Sequence, residues 1–218
     1  MDITKGLNKN QKEAVETLSG PMLILAGAGS GKTKTLTHRI ANLIAHGVAS
    51  ETILAVTFTN KAAREMRERL ADLLNRDAND RFFMPWMGTF HGICVKILRL
   101  KGEAIGVAPN FVIYDEDDRR SLIKKIMKEL QIDEKSLKPQ SVSSAISNAK
   151  NQLLTAEEFA NGANWGFEQK VSEIFLRYEK ERNKANALDF DDLLFETVKL
   201  LQQNKEIREF WQNKFNHI

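Results

Sequence analysis

The run Ala26-Gly27-Ala28-Gly29-Ser30-Gly31-Lys32-Thr33 carries the chemistry that is easiest to name. Gly27, Gly29 and Gly31 let a backbone wrap close around phosphate oxygens. Successive N–H groups at the start of a helix then meet the anion with the positive end of the helix dipole. Lys32 is spaced to reach terminal phosphates, and the Thr33 hydroxyl to ligate Mg²⁺. The strict pattern opens with Gly, and Ala26 stands there instead. A phosphate loop needs a strand before it and a helix after it. Met22-Leu23-Ile24-Leu25 supplies an apolar run for the first, and Thr35 to Ala45 a helical pattern for the second. A glycine turn ending a helix is the plain alternative.

Three further groups of residues have chemical content. Asn8-Lys9-Asn10-Gln11 lies upstream of the loop, and a Gln amide both donates and accepts, as reading adenine requires. An exposed Gln at a helix start is the ordinary alternative. Thr57-Phe58-Thr59-Asn60-Lys61-Ala62-Ala63 follows an apolar run, where a strand hands over to a helix. Ligands of open α/β sheets collect at that edge. A hydroxyl, an amide and a helix N-terminus suit a backbone phosphate, and an aromatic suits base stacking. A simple strand–helix turn with an Asn cap fits equally well. Gly88-Thr89-Phe90-His91-Gly92 repeats the arrangement one strand later. Neither Thr59 nor His91 has the surroundings of a nucleophile or metal ligand, and no His, Cys and acid spacing supports a zinc site.

The elements that must hold these groups follow from periodicity. Helices are expected over 8–18, capped by Asn8 or Asn10, and over 32–46, ended by Gly47. Residues 21–26, Thr52 to Phe58 and Trp86 to Phe90 read as strands. Asn60 caps a helix through Leu74, and another runs from His91 to about Ile105. Strands alternating with helices imply a parallel sheet with helices on its faces. From about residue 115 the pattern turns helical. Leu122, Ile123, Ile126, Met127 and Leu130 share a face, as do Val142, Ala145, Ile146 and Ala149. Thr155 and Glu158 have capping-box spacing. A long helix ends near Asn186, and Asp189 opens the last one. The fold expected is α/β with a helical block.

Composition narrows the class. The chain has 218 residues, 42% hydrophobic and 28% charged, in the soluble globular range. A net charge of +3 permits a nucleic-acid partner without demanding one. The single cysteine, Cys94, excludes an internal disulfide and reads as a small buried hydrophobe. Met1-Asp2-Ile3-Thr4-Lys5 carries no signal-peptide core, and no apolar run approaches membrane-spanning length. A cytoplasmic protein without a membrane partner is the expectation.

Taken in order, Asn8–Gln11, the loop ending Gly31-Lys32-Thr33, Thr57–Ala63, Gly88–Gly92 and Leu188-Asp189-Phe190-Asp191-Asp192-Leu193 resemble the N-terminal part of superfamily 1A DNA helicases of the UvrD/PcrA/Rep type. The resemblance spans nearly the whole chain and accounts for Ala26, since that family commonly opens its loop with Ala. It implies a P-loop RecA-like parallel-sheet domain with an all-helical insertion. Residues 1–112 would form the first motor domain, 113–188 the insertion, and 189–218 a return to the motor domain.

The same resemblance implies ATP and Mg²⁺ as cofactors, and single-stranded DNA and its junctions with duplex as partners. Gln11 would contact adenine. Ala28, Gly29, Ser30, Gly31, Lys32, Thr33 and Lys34 would line the nucleotide, with Thr33 on the metal and Lys32 and Thr33 serving hydrolysis. Phe58, Thr59, Asn60, Thr89, Phe90 and His91 would lie on DNA. Lys34 stands where the family often has Arg, keeping the charge but losing the bidentate fork.

Hydrolysis also needs a second acidic motif, a strand ending in Asp-Glu. By resemblance it would begin where Phe215-Asn216-His217-Ile218 stands, so the chain by itself is expected to be inactive. Phe111-Val112-Ile113-Tyr114-Asp115-Glu116 imitates that motif, but acids 115–118 read better as a helix cap with charge complement. Asp189, Asp191 and Asp192 read as structural, Asp189 being a natural N-cap. The leading reading is part of an ATP-driven 3′–5′ DNA helicase. The alternative is a stand-alone module binding single-stranded DNA or a partner without motor action. A small-molecule phosphotransferase ranks last, for want of an arginine-rich lid and an acceptor pocket.

Overall fold

The computed structural model describes residues 3–218; Met1 and Asp2, within the N-terminal stretch read above for a signal-peptide core, lie outside the described residues. Contacts divide the chain into two compact units. One comprises the chain up to Ile93 with Glu209–Ile218, the other Cys94–Arg208. These cuts follow packing, whereas the divisions at 112/113 and 188/189 rest on family resemblance.

In the first unit, α1 (Lys9–Glu16) is opened by Asn8, whose side chain accepts from the Gln11 N–H while the Gln11 side chain accepts from the Asn8 N–H. This reciprocal box satisfies two otherwise orphaned donors. Next comes α2 (Lys32–Ala45), and Gly47 at φ +89° supplies the left-handed residue just past its end. The strand β1 (Ala55–Thr57) leads into α3 (Asn60–Leu74), and β2 (Met87–Thr89) into α4 (Phe90–Lys101). Strands β1 and β2 pair in parallel, Thr57 opposite Thr89, so both end at one edge. The core beneath joins Ile40, Leu43, Ile53, Met66, Leu70 and Met84.

Two expectations need correction here. The N-cap of α3 is Thr59, not Asn60, its hydroxyl accepting from the Ala62 N–H at 3.1 Å. Residues 21–26 do not form a strand. Among the described residues, Pro21–Leu25 make no backbone hydrogen bond. A strand exists through its partners, and this stretch has none. Its side chains are correspondingly bare, with Leu23 83% and Leu25 87% exposed.

The second unit is mostly helical. It holds β3 (Val112–Tyr114), α5 (Glu116–Glu129), α6 (Pro139–Asn151), α7 (Ala156–Gly162), α8 (Phe167–Lys184), β4 (Ala187–Asp189) and α9 (Phe190–Gln203). Its core gathers Ile123, Ile126, Met127, Val142 and Ile146, from the helical faces read from periodicity, together with Phe175 of α8. Thr155 caps α7 with the expected box to Glu158. Strands β3 and β4 pair in parallel, Tyr114 opposite Asp189. Each hands over to a helix through an aspartate cap, Asp115 for α5 and Asp189 for α9. Asp115 accepts from the N–H groups of Asp117 and Asp118 at 2.9 Å, so its carboxylate serves the helix. Cys94 is buried, and that burial pushes its thiol pKa up. The last helix, α10 (Lys205–Lys214), carries the chain back to the first unit.

Candidate phosphate loop and sheet-edge site

The loop is shaped by two glycines in the left-handed region, Gly29 at φ +75° and Gly31 at φ +85°. Gly31 is the N-cap of α2 and offers no side chain to the first helical turn. The leading N–H groups of α2 therefore have no side-chain cap, as an anion site requires. Lys32 folds over the loop, its Nζ donating to the carbonyls of Ala26 at 3.0 Å and Gly27 at 2.7 Å. The Ser30 hydroxyl donates to the same Gly27 oxygen at 2.7 Å. Ala28, Gly29, Ser30, Lys32 and Thr33 are all exposed. An arriving phosphate would have to draw Lys32 away from two neutral carbonyls, which a doubly charged oxyanion can do.

Gln11 reaches this loop because α1 is fastened to α2. Arg39 donates to the carbonyls of Ala14 and Thr17, and Asn42 to that of Val15 at 2.9 Å. So placed, Gln11 Nε2 donates to the Ser30 carbonyl at 3.0 Å. A Cβ added at Gly31 would stand 2.9 Å from that nitrogen. Lys34 does a different job: its ammonium donates to the Gly6 carbonyl at 2.7 Å, tying down the N-terminal segment.

The second group sits at the end of β1 and β2. Phe58 is 91% exposed, and its ring lies 5.8 Å from that of Phe90. Thr59 and Thr89 act as caps, the Thr89 hydroxyl accepting from the Gly92 N–H at 3.1 Å. Asn60 is exposed and His91 half-buried beside them. The parallel register thus brings together all six residues expected there. The result is an aromatic pair in solvent between the starts of α3 and α4, a combination suited to stacked bases and backbone phosphates.

A third cluster was missed by sequence reasoning, and it lies in the second unit. Lys150 is buried, with Nζ 2.6 Å from Asp192, 3.0 Å from Asp189 and 3.0 Å from Glu179. Arg182 meets Asp192 at 3.0 Å and Glu179 at 2.5 Å, and Arg119 meets Asp191 at 2.7 Å. The Tyr178 hydroxyl donates to Asp189 at 2.8 Å. Burial alone would raise the Asp189 pKa, but Lys150 and Arg119 outweigh it and hold the group well below the carboxylate range. For Asp192 burial wins and pushes the pKa up to about 7, against Lys150 and Arg182. The signal was present in the sequence: Lys150 falls four residues after Ile146, and Arg182 four after Tyr178, each on an otherwise apolar face.

The sequence matches the family model for the UvrD/REP helicase N-terminal domain over residues 7–218. The chain belongs to the UvrD/REP helicase family. It is 48% identical over 217 residues to the ATP-dependent DNA helicase PcrA of Bacillus subtilis strain 168, covering 99% of this chain and 29% of that relative. The PcrA helicases of Leuconostoc citreum and Staphylococcus epidermidis are each 45% identical, with the same coverage. The chain thus spans about 29% of the length of these UvrD/REP relatives. They are named as ATP-dependent DNA helicases. Among the described residues, no helix is long and apolar enough to cross a membrane.

Proposed function

We propose that this chain carries the nucleotide loop and part of the DNA track of an ATP-driven helicase that moves 3′ to 5′ on single-stranded DNA and acts at its junctions with duplex. What carries the reading is the exposed loop at the uncapped start of α2, with Gln11 held against Ser30 and Lys32 resting on replaceable carbonyl partners. The donor set fits a magnesium nucleotide: free amides and an ammonium for phosphates, and a first-turn hydroxyl for the cation.

In that reading Lys32 moves from Ala26 and Gly27 onto the terminal phosphates. Thr33 holds Mg²⁺, which neutralises charge on the phosphates when bound. The amides of Ala28 to Thr33 surround the phosphates, and Gln11 turns its amide to adenine. Phe58 and Phe90 stack bases, while Thr59, Asn60, Thr89 and His91 contact the strand's backbone. Lys34 anchors Gly6 and contributes positive charge beside the nucleotide. Residues 1–112 and 189–218 belong to a P-loop RecA-like motor domain, and 113–188 to its helical insertion. The setting is cytoplasmic.

ATP turnover by this chain, with and without single-stranded DNA, tests the reading. The expected result is weak ATP binding that Lys32→Ala abolishes, with no turnover, since Asp115 is engaged as a helix cap and supplies no second acidic motif. DNA affinity that ignores ATP and survives Lys32→Ala would point to a binding module without motor action.

A further inference from the structure

Beyond the loop, α2 carries Lys34, His38, Arg39 and Asn42. Lys34, His38 and Asn42 recur at every fourth position and so stack along one side of the helix. Each of the four donates to main-chain carbonyls of the preceding segment. Arg39 and Asn42 hold the far end of α1, through Ala14, Thr17 and Val15. Lys34 and His38 hold its approach. The Lys34 ammonium donates to the Gly6 carbonyl at 2.7 Å, and His38 Nδ1 meets the Ile3 carbonyl at 2.5 Å. A carbonyl only accepts, so Nδ1 carries the ring proton. The His38 ring is buried, and Ile3 packs against the core beneath. Between these two contacts the chain turns tightly. The Leu7 N–H donates to the Thr4 carbonyl at 3.2 Å, with Gly6 at φ +76°, where glycine is favoured.

This clasp leads straight into Asn8 and so bears on the amide of Gln11. Both ends of that amide are engaged by main chain. Gln11 Oε1 accepts from the Asn8 N–H at 3.0 Å, and Nε2 donates to the Ser30 carbonyl at 3.0 Å. Each partner admits one orientation only, so the positions of oxygen and nitrogen are fixed. One N–H and one lone pair stay open on the amide. They complement a purine edge that sets an amino donor beside the N7 acceptor. A 6-oxo purine offers two acceptors there and leaves the Gln11 lone pair facing oxygen. We infer that Lys34 and His38 are positioning residues for base selection. By holding Ile3 and Gly6 against α2 they keep Asn8 and Ser30 at the separation that locks the Gln11 amide. The site then favours a 6-amino purine over a 6-oxo purine. The inference rests on the nucleotide reading above and adds that Lys34 acts on the base through Gly6, beyond its charge.

ATP and inosine triphosphate differ at that 6-position, and titrating both with Mg²⁺ gives their affinity ratio. Partial unfolding weakens both alike, so the ratio reports the site and not the fold. The wild type should favour ATP, and Gln11→Ala sets the ratio without the amide. Lys34→Ala and His38→Leu should each lower the wild-type ratio roughly fivefold or more, toward that of Gln11→Ala. His38→Asn, whose amide nitrogen takes the place of Nδ1, should keep it. If Lys34→Ala weakens both nucleotides equally, the lysine acts as a charge alone and the inference is overturned. A His38→Asn ratio as low as that of His38→Leu overturns it for the histidine, which would then matter by packing. A wild type without preference overturns it for both residues. ATP preference that survives both clasp substitutions sinks the clasp and leaves the nucleotide loop standing. Wild-type binding of neither nucleotide contradicts the loop reading itself, and this inference with it.

Discussion

Lys150 and Lys32 are the same residue type in opposite surroundings. Lys150 is enclosed by Asp189, Asp192 and Glu179 within 3.0 Å, and its pKa rises because these carboxylates outweigh the cost of burial. Lys32 is exposed, and its ammonium donates to the Ala26 and Gly27 carbonyls of its own loop. The first lysine is spent on holding α6, α8 and α9 together. The second has partners that a stronger anion displaces. Burial and partner charge therefore separate a lysine closed in by carboxylates from one left open to solvent better than residue type does.

The largest effect should come from breaking the closed cluster. Lys150→Ala leaves Asp189, Asp192 and Glu179 without their shared cation. Removing one partner of a buried pair costs about 3–5 kcal/mol, and chemical denaturation should report that loss. Lys32→Ala should leave the same denaturation curve in place. If the two variants lose stability equally, the contrast between the lysines is wrong.

Removing Phe58 sharpens the contrast from the open side. Stacking of a base on an aromatic is worth about 1–3 kcal/mol. Phe58→Ala should thus weaken single-stranded DNA binding roughly five- to 150-fold in a titration at fixed salt, with thermal stability unchanged because the ring is 91% exposed. An equal loss of stability would make the ring a packing residue.

Gly31→Ala probes the loop itself. An L-residue in the left-handed region costs about 1–2 kcal/mol, and here the new Cβ would also crowd Gln11 Nε2. Weakened ATP binding is expected, with the midpoint of unfolding lowered by a few degrees. Wild-type ATP affinity would mean that this backbone shape does not matter to the ligand.

The smallest effect is a pH dependence with two opposed arms. Asp189 has a lowered pKa, so its contribution is present above its unfolded value, about 4, and fades as pH falls below it. Asp192 has a raised one, so its contribution is full below about pH 4 and fades as pH rises through about 7. Unfolding free energy measured against pH should decline across that upper window, and Asp192→Asn should flatten the decline. A flat wild-type profile between these values would contradict the raised pKa.

Local signals were legible in the sequence, and partnered ones were not. Asn8, Thr155 and Asp189 were readable as caps because a cap needs only residues three positions away. The junctions at Phe58 and Phe90 were readable because each follows a short apolar run. The stretch 21–26 misled, since four apolar residues name a strand candidate while only a neighbouring strand makes one. The charge cluster escaped because its members are distant in sequence, Lys150 lying 39 residues from Asp189 and Arg119 72 from Asp191. Spacing flags Lys150 and Arg182 as charges on apolar faces, but it does not name partners that distant.

The most direct test of the account is ATP titration in the presence of Mg²⁺, by calorimetry, on the wild-type chain, Lys32→Ala and Phe58→Ala. The account predicts weak binding by the wild type and by Phe58→Ala, and loss of at least tenfold in affinity by Lys32→Ala with its fold intact. Equal affinity in all three would contradict it, because the loop at the start of α2 would then not be where the nucleotide sits.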